Sequence, residues 1–129
     1  MKGYLLDTCA LVWYFTGSRE LPAALHEALV DTHNRVCASD VSSLELVIKH
    51  SLGKISLPQP PSVWLPVLTR KHLLESLPLD AAAIFRLEGL PWLHRDPFDR
   101  LLVAQALTQD LTLVTPDPLI QQYPVSWTW

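Results

Sequence analysis

The chain has 129 residues, 49% of them hydrophobic and 18% charged, which is enough apolar content for one buried core and argues against long disorder. A net charge of −3 and a pI near 5.9 exclude a broad basic face, so any contact with nucleic acid must be local. No apolar run approaches the ~20 residues of a membrane helix, and no secretory signal opens the chain.

These bounds predict a single domain over residues 1–129, folded in a reducing cytoplasm. Cys9 and Cys37 lie in apolar surroundings with no CxxC pair and no zinc-type spacing, so both read as buried free thiols. Local basic groups occur at Lys49, His50 and Lys54, at Arg70, Lys71 and His72, and at Arg95 with Arg100. Each is a candidate phosphate contact and equally a solvated face.

In chain order, Gly3-Tyr4-Leu5-Leu6 reads as a buried strand ending in Asp7, followed by a helix through Trp13 and Phe15 that stops at Gly17. Pro22 opens a second helix with Asn34 as its end, and Val36-Cys37-Ala38 is a short strand. Ser39 or Asp40 caps a helix carrying Leu44, Val47, Ile48 and Leu52, with Glu45 inside it and Gly53 at its close. Past the Pro58–Pro61 break come a helix from Ser62 to His72, a strand over Leu74–Leu77, and a short helix capped by Asp80. Asp96-Pro97 starts another helix, Leu111–Thr115 is the clearest strand, and a last strand falls near Val125–Trp127. Apolar strands alternating with helices predict a parallel sheet covered on both faces, an α/β/α sandwich.

In such a sheet, ligands bind beyond the carboxyl ends of the strands. Asp7 lies at one such end and Asp117 just past another, with Asp99 in the first turn of the intervening helix and Glu45 on the helix leaving the second strand. Carboxylates gathered there would repel one another, and an oxygen-only set favours a hard divalent ion such as Mg²⁺ or Mn²⁺. An ion held in this way suits phosphodiester hydrolysis, because it lowers the pKa of water and stabilises charge on the phosphate oxygens. Each acid also has a plainer reading. Asp96 and Asp99 can cap and favour a helix start, Glu45 can pair with Lys49, and Asp117 can serve a turn between two prolines. The five histidines show no i, i+4 pairing and are not assigned to metal.

Leu5-Leu6-Asp7-Thr8, the segment from Ser39 to Lys49, the segment Arg95-Asp96-Pro97-Phe98-Asp99-Arg100 continuing to Ala106, and Leu113-Val114-Thr115-Pro116-Asp117 together resemble the ordered motifs of PIN domains. The resemblance is closest to VapC-type toxins of bacterial and archaeal toxin–antitoxin pairs. It implies a five-stranded parallel sheet of order 3-2-1-4-5, Mg²⁺-dependent endoribonuclease activity, homodimerisation, and inhibition by a cognate VapB-type antitoxin. Residue by residue, it implies Asp7, Glu45, Asp99 and Asp117 as the catalytic and metal-binding acids. Thr8, Ser42 and Thr115 match hydroxyl positions that line such sites, Asp96 is a further candidate for the lining or else a helix cap, and Pro116 departs from the basic or polar residue the family often has there.

Two other functions compete. An aspartate-nucleophile phosphatase would need a second acid where Cys9 stands. A catalytically inactive PIN-like binding module would act only through a protein partner. The resemblance also implies a partner helix, for which the apolar surface around Trp64, Leu65 and Leu68 is one dock or dimer face.

Overall fold

The computed structural model describes residues 2–129. Five parallel strands, β1 (Gly3–Leu6), β2 (Arg35–Ser39), β3 (Glu75–Leu77), β4 (Thr112–Val114) and β5 (Trp127–Thr128), pair in the order β3-β2-β1-β4-β5. The parallel pairing is the one that the alternation of strands and helices predicts, and the order is the one that the family resemblance implies. Six helices connect them: α1 (Thr8–Thr16), α2 (Ala23–Val30), α3 (Asp40–Ser51), α4 (Pro61–Lys71), α5 (Ala81–Arg86) and α6 (Pro97–Gln109). Among the described residues, no helix is long and apolar enough to cross a membrane.

Strand alternation divides the core into two layers. Tyr4, Leu6, Val36, Ala38 and Val114 face α1, α2 and α4, while Leu5, Cys37 and Leu113 face α5 and α6. The residues of β1 are buried on both faces, as its uninterrupted apolar run requires of a central parallel strand. The α1 helix stops where Gly17 takes a left-handed conformation at φ 69°, which costs glycine nothing.

Three expectations shift on the structure. The second helix ends at Val30 and not at Asn34, because Asp31 turns into an extended conformation; the Asn34 side chain instead reaches back to the Ala28 carbonyl. The last strand lies at Trp127–Thr128, a residue or two later than its apolar content suggests. Trp64 and Leu65 are buried, so they cannot form a docking face. Trp64 meets Phe15 edge-on at 5.7 Å between ring centroids, and the exposed apolar residues of α4 are Val63 and Val67. In the sequence Val63, Trp64, Leu65, Val67 and Leu68 form one apolar run, and the packing against α1 decides that Trp64 and Leu65 turn inward.

Candidate metal centre

The carboxyl ends of β1, β2 and β4 open onto one edge of the sheet, and the chain departs from each with a side chain that caps or lines it. Asp7 is the N-cap of α1: its Oδ1 accepts the Ala10 N–H at 2.8 Å and the Cys9 thiol at 3.2 Å, while its own N–H donates to Val114 O of the neighbouring strand. Ser39 caps α3 by accepting the Val41 N–H, and its hydroxyl donates to Gln105 of α6, tying the second strand to the sixth helix. Asp96 caps α6, accepting the Phe98 and Asp99 N–H groups. The helix-cap reading of Asp96 therefore holds, and its charge still acts on Asp99.

Glu45 is 4% exposed although it pairs with Lys49, so the surface-pair reading fails on burial while the ion pair itself is present. Thr8 donates to its Oε1 at 2.6 Å, and Ser42 lies 3.0 Å from the Thr8 hydroxyl. Lys49 stays protonated well past its ordinary range, chiefly through its bond to Glu45. Thr115 accepts the Asp117 N–H, which leaves its hydroxyl proton free for Asp7. Asp117 in turn accepts the Leu119 N–H on Oδ1, a turn that Pro116 accommodates. Each of these carboxylates is thus aimed by a bond to backbone or side chain.

The acids act on one another. Burial is the main cause that raises the Asp7 carboxyl above its usual range, with Asp117 adding to it and Thr115, Ala10 and Cys9 opposing. Asp99 is pushed up to about 7, first by burial and then by the charge of Asp96, with Glu45 and Asp7 contributing and His94 opposing. Asp7, Glu45, Asp96, Asp99 and Asp117 therefore share one electrostatic neighbourhood, in which Lys49 pairs with one of the five acids. This is the arrangement that a bound divalent cation relieves, and oxygen donors of this kind suit Mg²⁺ or Mn²⁺.

Sequence reasoning passed over His94. Its Nε2 lies 3.1 Å from Asp99 Oδ2 and 3.0 Å from Asp117 Oδ2, and among the described residues these three form the group close enough to share an ion. The partners stand five and 23 positions along the chain, so no helical spacing betrays them. The available signal was a histidine two residues before an aspartate helix cap.

A family model for the PIN domain matches residues 4–125. The chain belongs to the PIN domain family. No curated protein sequence matches it significantly. Among solved structures, this PIN domain superposes on a chain of VapBC2 from Rickettsia felis bound to a DNA fragment from their promoter, with a TM-score of 0.73, 20% identity, and coverage of 98% of this chain and 97% of that one. DNA-bound VapBC from Salmonella typhimurium gives 0.69 at 18% identity, over 99% and 98% of the two chains. FitAcB from Neisseria gonorrhoeae gives 0.61 at 18% identity, over 98% and 96%. At these identities the likeness is one of fold. It covers this PIN domain from end to end, including the strand edges that carry the acids.

Proposed function

We propose that this PIN domain is a Mg²⁺-dependent endoribonuclease of the VapC type, hydrolysing RNA phosphodiester bonds and neutralised by a cognate VapB-type antitoxin. The observation that carries the reading is the shared electrostatic field of Asp7, Glu45, Asp99 and Asp117, joined by Asp96, at the carboxyl edge of a PIN-fold sheet. Asp99 and Asp117, which belong to the group close enough to share an ion, would hold Mg²⁺ or in its place Mn²⁺, and Asp7 and Glu45, which lie outside that group, would complete the ligand set that the family resemblance implies. A bound ion supplies Lewis-acid stabilisation of the charge that builds on the scissile phosphate and lowers the pKa of water.

The chain's own residues prepare that chemistry. Thr8 and Lys49 fix the two oxygens of Glu45, and the Ala10 N–H fixes one oxygen of Asp7. The solved VapBC complexes support an antitoxin as partner. A basic side chain offered by such an antitoxin would be attracted by the same acids and compete with the ion. Homodimerisation in the cytoplasm completes the proposal.

The test is Asp7→Asn. The variant should fold, as judged by circular dichroism and thermal melting, and should lose Mg²⁺-dependent cleavage of single-stranded RNA. Full residual cleavage would exclude the assignment, and wild-type protein that binds Mn²⁺ saturably yet cuts no RNA would favour a binding module.

A further inference from the structure

Trp92 is 78% exposed, yet its ring is held in place. The guanidinium carbon of buried Arg100 lies 3.8 Å from the centre of the ring and covers one face of it. Arg100 is itself fixed by neutral oxygens. Its Nη1 donates to the Pro91 carbonyl at 2.8 Å and to Tyr123 Oη at 3.1 Å, and its Nη2 donates to the Leu87 and Leu90 carbonyls. The same Tyr123 hydroxyl accepts the His94 backbone N–H at 3.0 Å. The turn is therefore fastened on both sides of Trp92, at residues 91 and 94, and the indole keeps its other face toward solvent in a set orientation.

That face stands at the rim of the acid cleft. Two residues of chain, at most ~7 Å of extended backbone, separate Trp92 from His94, whose Nε2 lies 3.0 Å from Asp117 Oδ2. Arg95, next along, is exposed and forms no ion pair among the described residues. A flat apolar ring and an uncommitted cation, side by side, match what each nucleotide of a single strand offers: a base face and a negative charge. A duplex keeps its base faces stacked on one another and has none to give. A basic peptide drawn by the acids would meet the charges of Arg95 and Arg100 at this side, so the rim favours a negative partner.

We infer that Trp92 stacks on an unpaired base of the RNA substrate, close to the phosphate at the acid cleft, and that Arg95 holds a phosphate of the same strand. Because Arg100 orders the indole beforehand, the stack immobilises little that was free. The choice of RNA rests on the proposed nuclease reading, but the test reads binding without cleavage. Fluorescence anisotropy in EDTA compares a fluorescein-labelled oligouridylate with an abasic ribose-phosphate oligomer of equal length. Wild type should bind the oligouridylate ~5–150-fold more tightly, the effect of about one stacked base. Trp92→Leu should lose that preference while binding the abasic oligomer as wild type does, and Trp92→Phe, which keeps an aromatic face, should retain most of it. Arg95→Gln should weaken both oligomers alike and reduce the log–log salt slope of binding by ~0.7, the share of one phosphate contact on a single strand. Both side chains are exposed, so all three variants should melt like wild type.

A base preference that survives Trp92→Leu would overturn the stack, as would Trp92→Leu that cuts RNA in Mg²⁺ with unchanged kcat/KM. An unchanged salt slope in Arg95→Gln would overturn the phosphate contact. Should Trp92→Leu alter the oligomeric state in sedimentation and leave oligouridylate binding at the wild-type level, Trp92 is a protein contact and the inference falls. Wild type that binds oligouridylate through Trp92 yet cuts no RNA in Mg²⁺ removes the nuclease reading alone. Wild type that cuts RNA but shows no preference for the oligouridylate removes this inference alone.

Discussion

Asp99→Asn should make the metal-free protein more stable at pH 8 while abolishing its use for the ion. In the folded chain the Asp99 carboxyl is raised from its ordinary 3.8 to about 7, with burial as the main cause and Asp96 next. A raised carboxyl means that between those two values the native state keeps a proton the unfolded chain has released. The contribution of Asp99 to stability in the metal-free state is therefore greatest below about pH 4, falls as pH rises through the folded value, and is flat above it. At about 1.4 kcal/mol per pH unit the full cost is about 4 kcal/mol, and solvent reaching this partly open carboxylate reduces it to about 2 kcal/mol. The isosteric amide removes that cost but forfeits the carboxylate's favourable place in the first turn of α6, leaving a gain of about 1–2 kcal/mol. In a domain of this size that corresponds to about 4–8 °C in melting temperature. Thermal melting followed by circular dichroism in EDTA should show this gain at pH 8 and little at pH 4. Millimolar Mg²⁺ should raise the wild-type midpoint and leave the variant nearly unmoved. A variant that melts below wild type at pH 8, or gains equally at both pH values, would refute the electrostatic reasoning.

Arg100→Met should lower stability by about 2–4 kcal/mol in urea titrations, since it strips the Pro91 carbonyl and Tyr123 hydroxyl of a buried donor and removes the stack on Trp92. Thr8→Val should keep the fold within about 1 kcal/mol yet reduce Mg²⁺-dependent cleavage ~10–100-fold, because Glu45 Oε1 loses its 2.6 Å donor; a steady-state assay on an RNA oligonucleotide reads this. Burial pushes the Cys37 thiol up to about 12 and the Cys9 thiol higher still, with Asp7 adding to the latter. Neither cysteine should react with Ellman's reagent at pH 8 in the folded protein, and both should react once it is unfolded in urea.

The acids were legible because each closes a local pattern: Asp7 ends an apolar run, Asp96 precedes a proline at a helix start, and Asp117 follows the clearest strand. Sheet order came with the resemblance to PIN domains, and the alternation of strands with helices had already required parallel pairing. What remained illegible depends on distance and direction in space. His94 has partners on α6 and beyond β4, so its role is invisible until both are folded against each other. Glu45 and Lys49 show as an ion pair at i, i+4, but only the packing of α3 against α1 buries the carboxylate. Trp64 and Leu65 look like any apolar stripe, and the choice of inward face belongs to Phe15 and its neighbours on α1.

The central strand of the sheet is the first one made, and its neighbour β4 is built from residues 112–114. A chain leaving the ribosome can pair β1 with β2 early, but one flank of β1 must wait until nearly the whole polypeptide has been synthesised. The Asp7 N–H has no Val114 carbonyl to meet until then, and neither Asp99 nor Asp117 can take its place beside it. Closing so long a loop is entropically costly and slow compared with local helix formation. The cleft that gathers the acids is consequently a property of the finished chain alone, and a truncated product lacking β4 would carry Asp7 without the company that gives it purpose.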